Sequence, residues 1–223
     1  MTGTMPKILP LENGDSLTRA EFEQRYEAMP HLKKAELIEG VVYMGSPVRV
    51  IHGRPHGHII GWMSTYSMVT PGVDLLVDTT VRLDQDNEPQ PDALLRIEVD
   101  GQSTISEDSY VEGAPEFIAE IAASSASYDL REKLKAYRRN QVQEYLVWQV
   151  YEQKIDWFRL REGQYINLVA DETGVIKSEV FPGLWLAVSA LLAGNLAEVQ
   201  SVLQMGLATP EHQVFIEELG NRG

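Results

Sequence analysis

The 223-residue chain contains no cysteine, which excludes disulfides, thiolate zinc sites and a cysteine nucleophile and is compatible with a reducing compartment. No apolar run approaches the length of a membrane span, and the start, Met1-Thr2-Gly3-Thr4-Met5-Pro6-Lys7, lacks the basic and apolar regions of a secretory leader. A cytoplasmic protein without a membrane partner is therefore expected. There is no glycine-rich phosphate loop, no Gly-x-Ser-x-Gly elbow, no His-Glu-x-x-His, no internal repeat and no low-complexity tract. Basic residues are scarce. Lys and Arg total 19 against 33 Asp and Glu, a formal net charge of −14, which argues against non-specific nucleic-acid binding by the surface as a whole.

What is present is enough for a core: 43% of the residues are hydrophobic, and the length fits one domain with a small appendage. Residues 1–16 are polar, with Pro, Gly and Asn, and read as a flexible arm. A helix is expected over residues 17–26, with Ser16 or Thr18 as its cap, and a hairpin over 35–44 turning at Glu39-Gly40. A second helix is expected over 56–68, ended by Pro71-Gly72, then short strands over 73–77 and 79–83 and a wandering connection over 98–112. Residues 143–150 read as a buried strand, and 154–160 and 165–169 as a hairpin turning at Glu162-Gly163. The order strand, helix, strand over 116–150 implies a parallel crossover, and the flanking hairpins imply antiparallel neighbours. The expected fold is α/β, a mixed central sheet flanked by helices. It occupies residues 17–187, and residues 188–223 form a helical C-terminal extension.

Two phrases carry the chemistry. Gln90-Pro91-Asp92-Ala93-Leu94-Leu95-Arg96 and Pro115-Glu116-Phe117-Ile118-Ala119-Glu120-Ile121-Ala122 both read as strands opened by proline, and each places an acid where a buried strand usually carries Val or Leu. An ionised carboxylate there is unfavourable unless something compensates it. Glu120 shares a strand face with Ile118 and Ala122. If the strands are neighbours, Asp92 and Glu120 converge, the minimal oxygen set for Mg²⁺ or Mn²⁺ beside a substrate phosphate. A turn-forming role for Asp92, or a buried ion pair for Glu120, explains each acid alone but not both.

The helix that follows adds Asp129, Lys133 and Tyr137, four residues apart along one face. Lys133 in that place suits holding a water or neutralising charge on phosphorus, against the plainer reading of a surface ion pair with Asp129. Asp129 fits equally well as a helix N-cap in a box with Glu132. Lys135, Arg138 and Arg139 extend a basic cluster that would suit a polyanion held over a metal, or serve as a solvated helical face. His52, His56 and His58 raise a zinc site, which Pro55 and the lack of an orienting acid nearby in sequence disfavour. His56 at a helix start would either approach a phosphate or cap and pack. The aromatics Trp148, Trp157, Phe158, Phe181 and Trp185 read as core or subunit contacts.

The ordered set resembles the PD-(D/E)XK, or restriction-endonuclease-like, nuclease superfamily, and within it the Uma-two family of endonucleases. The residues that carry the resemblance are Glu36-Leu37-Ile38-Glu39-Gly40, the segment from Ser46-Pro47 to His56, Pro91-Asp92, Glu120, Ser124 or Ser125, Asp129 to Lys133 to Tyr137, and Glu144-Tyr145. The resemblance spans residues 17–170. It implies a restriction-endonuclease-like fold, Asp92 and Glu120 as Mg²⁺ or Mn²⁺ ligands, Lys133 as the catalytic lysine and Glu36 as a further acid. The superfamily's usual lysine position, two residues after the glutamate, holds Ala122, so Lys133 has to reach in from the next helix, with Lys135 as the fallback. The expected activity is hydrolysis of DNA phosphodiesters, with a homodimer supplying two sites for a duplex. Two other readings stay open: a silent fold relative that binds nucleic acid or a protein partner, and an enzyme acting on a small phosphodiester.

Overall fold

The computed structural model describes residues 8–45, 47–123 and 128–222. Helix α1 (Arg19–Glu27) starts at Thr18, whose hydroxyl oxygen accepts from the Glu21 N–H. Strands β1 (Ala35–Ile38) and β2 (Val41–Met44) form a hairpin, with Glu39 and Gly40 at φ 51° and 74° in the left-handed conformation that a tight two-residue turn demands. Helix α2 (Val50–Met68) leads to β3 (Val73–Val77), β4 (Val81–Arg82), β5 (Ala93–Ile97), β6 (Thr104–Ile105), β7 (Val111–Glu112) and β8 (Phe117–Ala122). A π-helical turn, Asp129–Lys133, runs directly into α3 (Leu134–Arg139). Then come β9 (Glu144–Gln149), β10 (Lys154–Arg161), β11 (Gln164–Asn167), β12 (Val175–Lys177), β13 (Trp185–Ala187), α4 (Val188–Leu192), α5 (Leu196–Leu207) and α6 (Pro210–Gly220).

Six strands make the central sheet in the order β11-β10-β9-β8-β5-β3. Only β8 and β9 run parallel, because the α3 crossover joins them; every other pair is antiparallel. Alternation along the strands divides the core. Phe117, Ala119, Ile121, Leu146, Trp148 and Trp157 face α2 and the C-terminal helices, whose Val199, Leu203, Phe215 and Leu219 join the same cluster. Ile118, Ala122, Tyr145 and Val147 face the other way, against Tyr137 of α3. Glu120 belongs to this second face by the same alternation. No helix among the described residues is long and apolar enough to cross a membrane.

Several local expectations are corrected. The N-terminal arm is docked from Leu11 onward: Leu11 is buried, Gly14 N–H donates to Val42 O, and Leu17 N–H to Gly40 O, each of these two bonds 2.8 Å long. Residues 1–7 lie outside the described residues. Pro55 does not interrupt α2 but lies inside it. As the sixth residue of α2 it forgoes one hydrogen bond, to the Ile51 carbonyl oxygen, and the buried face of Ile59, Trp62, Met63 and Tyr66 holds the helix regardless. The connection over 98–112 is partly ordered as β6 and β7, which pair with β4 in a three-stranded sheet. The hairpin-like pair β12–β13 was not foreseen; its strands have three residues each, too short to show a period.

Candidate active site

The pairing of β5 with β8 sets the site. Ala93 stands opposite Ala119 and Leu94 opposite Ile118, so continuing the antiparallel register by one residue brings Asp92 opposite Glu120 on the same face of the sheet. Asp92 Oδ2 accepts from the Ile121 N–H at 2.7 Å, which fixes the carboxylate against the neighbouring strand. His52 Nε2 is 3.4 Å from the same oxygen, and Lys34 Nζ is 4.0 Å from Oδ1. Burial works to raise the Asp92 pKa, but the His52, Lys34 and Ile121 N–H interactions outweigh it and hold it at about 2.

Glu120 is the more crowded acid. Lys133 Nζ and Tyr137 OH both donate to its Oε1, each at 2.8 Å, and Lys133 also contacts Glu36 Oε1 at 2.9 Å and Asp129 Oδ1 at 3.9 Å. Glu36 Oε1 in addition accepts from the Gln90 N–H at 2.8 Å, so the β1–β2 hairpin is tied both to Lys133 and to the strand that delivers Asp92. Burial pushes the Glu120 carboxyl above its ordinary value; Lys133 opposes this, and Asp92, Asp129 and Glu36 reinforce it. Burial alone would lower the Lys133 pKa, but Glu120, Glu36 and Asp129 raise it well above the usual value, so the ammonium persists. The widened π turn sits where Asp129 and Lys133 are directed at the sheet, a common place for such turns. Asp129 lies within that turn, buried, and is not its N-cap.

These groups open on a cleft of about 760 Å³. His52 and His56 line it from one face of α2, with ring centroids 5.5 Å apart. His58 lies instead near Trp148, at 6.3 Å between rings, so the three imidazoles do not assemble around one point. An acid orients the pair after all: Asp92, remote in sequence, touches His52, and its carbonyl oxygen is 2.9 Å from His56 Nε2. His56, Asp78 and Asp92 each offer a ligand atom within 4.8 Å of the others. The donors around the cleft are mainly carboxylate oxygens, the chemistry that suits Mg²⁺ or Mn²⁺, and the carboxylates of Glu36, Glu120 and Asp129 share the single ammonium of Lys133.

The remaining candidates lie elsewhere. Lys135 pairs with Glu39, and Arg139 with both Glu39 at 3.0 Å and Asp84 at 2.9 Å. Arg138 donates to Gln164 Oε1 at 3.0 Å. None of the three lines the cleft, because acids from the hairpin turn and from the loop before β5 draw the first and third to the outer side of α3. Lys135 therefore does not stand in for Lys133. Residues 124–127, with the two serines of the sequence pattern, and Ser46 lie outside the described residues. Sequence reasoning missed Lys34, Asp78 and Tyr128, all at the cleft; none belongs to a periodic pattern that would have marked it. Tyr128 places its ring 5.4 Å from Lys133 Nζ.

The family model Uma2, described as "Putative restriction endonuclease", matches residues 19–189. Among solved structures, the chain is similar to one described as a putative nuclease belonging to DUF820 from Anabaena variabilis ATCC 29413. The TM-score is 0.59 at 12% identity, covering 76% of this chain and 96% of that one, a likeness of fold. No curated protein matches.

Proposed function

This chain belongs to the Uma2 family, and from that premise we propose that it is a divalent-metal-dependent endonuclease hydrolysing phosphodiester bonds of DNA in the cleft between the β1–β2 hairpin, α2, β8 and the π-helical turn. The observation that carries the proposal is the opposed pair Asp92 and Glu120 with the Lys133 ammonium 2.8 Å from Glu120. Asp92 and Glu120 are the residues that would hold Mg²⁺ or Mn²⁺, with His56 and Asp78 within reach of the same ion through Asp92. Such an ion supplies Lewis-acid polarisation of a phosphoryl oxygen and a bound water of lowered pKa.

The chain's own groups do the positioning. The Ile121 N–H aims the Asp92 carboxylate, and Tyr137 OH orients Glu120. Glu36 and Asp129 hold Lys133 over the sheet, where its ammonium stabilises the negative charge that builds on the phosphate oxygens as water adds to phosphorus. One P–O ester bond is exchanged for a P–OH, and the leaving oxygen departs as an alcohol.

The test is cleavage of supercoiled plasmid and of single-stranded DNA with Mg²⁺ or Mn²⁺, comparing wild type with Asp92→Asn, Glu120→Gln and Lys133→Ala. Activity present in wild type and lost in all three, with circular dichroism unchanged, is the expected result. Equal activity in all four preparations would identify a contaminant, and no cleavage under any condition would refute the endonuclease.

A further inference from the structure

The walls of the cleft differ from its floor. Tyr43 and Tyr128 pack together at its side, with ring centroids 4.2 Å apart and ring planes tilted by 38°. Tyr151, in the turn between β9 and β10, also lines the cleft and is 63% exposed. Val48 and Ile51 line it too, 73% and 40% exposed. The mouth beside the carboxylates is thus aromatic and aliphatic.

Cations to track a phosphate backbone are few. Apart from Lys133, which three carboxylates enclose, the lysines and arginines lining the cleft among the described residues are Lys34 and Arg49. The basic cluster on α3 is tied up by Glu39, Asp84 and Gln164, and the chain carries a net charge of −14. A duplex presents phosphates and groove edges to a surface, with its base faces stacked inside, and binds through many phosphate contacts. An opened strand presents π-faces, for which exposed aromatic rings are the matching platform.

We propose that the substrate is single-stranded DNA, with a base unstacked from its neighbours seated on Tyr151 at the cleft mouth and its phosphate directed to the Asp92–Glu120 floor. The proposal rests on the nuclease reading for the chemistry of that floor; the aromatic mouth and the scarcity of cations carry the choice of strand. Tyr43 and Tyr128 line the same cleft, and Lys34 and Arg49 provide the phosphate contacts.

Binding tests this independently of cleavage. Fluorescence anisotropy with a labelled 12-nucleotide oligothymidylate and with a 12-base-pair duplex, in Ca²⁺ in place of Mg²⁺, compares wild type, Tyr151→Ala and Tyr151→Phe. The single strand is expected to bind at least about tenfold more tightly than the duplex, and Tyr151→Ala to weaken it about tenfold, the usual effect of removing one stacking ring. Tyr151→Phe keeps the ring and should bind like wild type. The salt dependence should be shallow, corresponding to about two neutralised phosphates. Equal or tighter duplex binding, or wild-type affinity in Tyr151→Ala, overturns the proposal; so does tighter binding of oligouridylate, which would make the ligand RNA. If the single-strand preference and the Tyr151 effect are present but wild type cuts nothing with Mg²⁺ or Mn²⁺, the nuclease reading falls and the binding assignment stands. Cleavage that prefers duplex gives the reverse.

Discussion

Glu36 Oε1 lies 2.9 Å from Lys133 Nζ, so a strand of the N-terminal hairpin closes the charge cluster that the π-helical turn before α3 lowers onto the sheet. Both side chains are buried, and with Glu120 and Asp129 they place three carboxylates around one ammonium. Such an arrangement is balanced only while every member is present, because a buried charge without a partner is far less favourable than a missing pair.

Lys133→Met should therefore destabilise the protein by about 3–5 kcal/mol at pH 8. The loss should shrink at pH 5.5. Burial already raises the Glu120 carboxyl above its unfolded value, and removing the ammonium raises it further. A raised acid contributes stability that is complete below its unfolded pKa and disappears as pH rises through the folded one, so the variant recovers on acidification. Urea unfolding at the two pH values measures this; a variant as stable as wild type at pH 8 would show that the cluster does not hold the fold.

Much of this site was legible in the chain. Pro91 and Pro115 open apolar runs in which an acid stands out, and the four-residue spacing of Asp129, Lys133 and Tyr137 gives one helical face without any structure. The Glu39-Gly40 turn was equally plain. What could not be read is which distant elements meet. The opposition of Asp92 and Glu120 follows from β5 and β8 being neighbours, which a strand list leaves open. Lys135 and Arg139 looked available until Glu39 and Asp84 folded against them. His52 and His56 lacked an acid only in sequence, and Pro55 suggested a break that the helix, held by its buried Ile59, Trp62, Met63 and Tyr66, runs through.

Mn²⁺ should raise the melting temperature of wild type and leave Asp92→Asn and Glu120→Gln almost unmoved. A ligand that binds only the folded state stabilises it by about 2.7 kcal/mol at a hundred times its Kd. The Asp92 carboxylate is ionised down to about pH 2, so its share of this binding is present throughout the neutral range. Differential scanning fluorimetry in matched Mn²⁺ and EDTA buffers reads the shift, and an equal shift in all three proteins would place the ion elsewhere.

Gly206 of α5 packs directly on the β12–β13 connection. A Cβ there would fall against the Gly183 carbonyl oxygen and 2.8 Å from Trp185 Cγ, whereas one on Gly220 would meet nothing within 4 Å. Gly206→Ala should destabilise the protein by about 1–3 kcal/mol, with the whole transition shifting as one, because α5 shares its core with Phe117 and Trp157. Gly220→Ala should stay within about 1 kcal/mol of wild type. A separate early transition in Gly206→Ala, seen by tryptophan fluorescence but not by circular dichroism of the sheet, would show that the C-terminal helices fold as an independent extension.

His212 fastens α6 through Nε2, 2.9 Å from Thr70 Oγ1, and Nδ1, 3.0 Å from the Leu207 carbonyl oxygen. Burial lowers its pKa, opposed by the hydrogen bond to Leu207, so the imidazole is neutral in the fold at a pH where the unfolded chain has begun to protonate. The unfolded state then binds more protons, and stability falls as pH drops below the ordinary histidine value of about 6.5. His212→Gln retains a donor and an acceptor but cannot titrate. Urea midpoints between pH 7.5 and 5.5 should therefore decline less steeply in His212→Gln than in wild type, and the protection of α6 amides, relative to their intrinsic exchange rates, should fall on acidification more in wild type than in His212→Gln. Parallel pH profiles in the two proteins would place the acid sensitivity away from His212 and leave α6 docked by its apolar face, Phe215 and Leu219, alone.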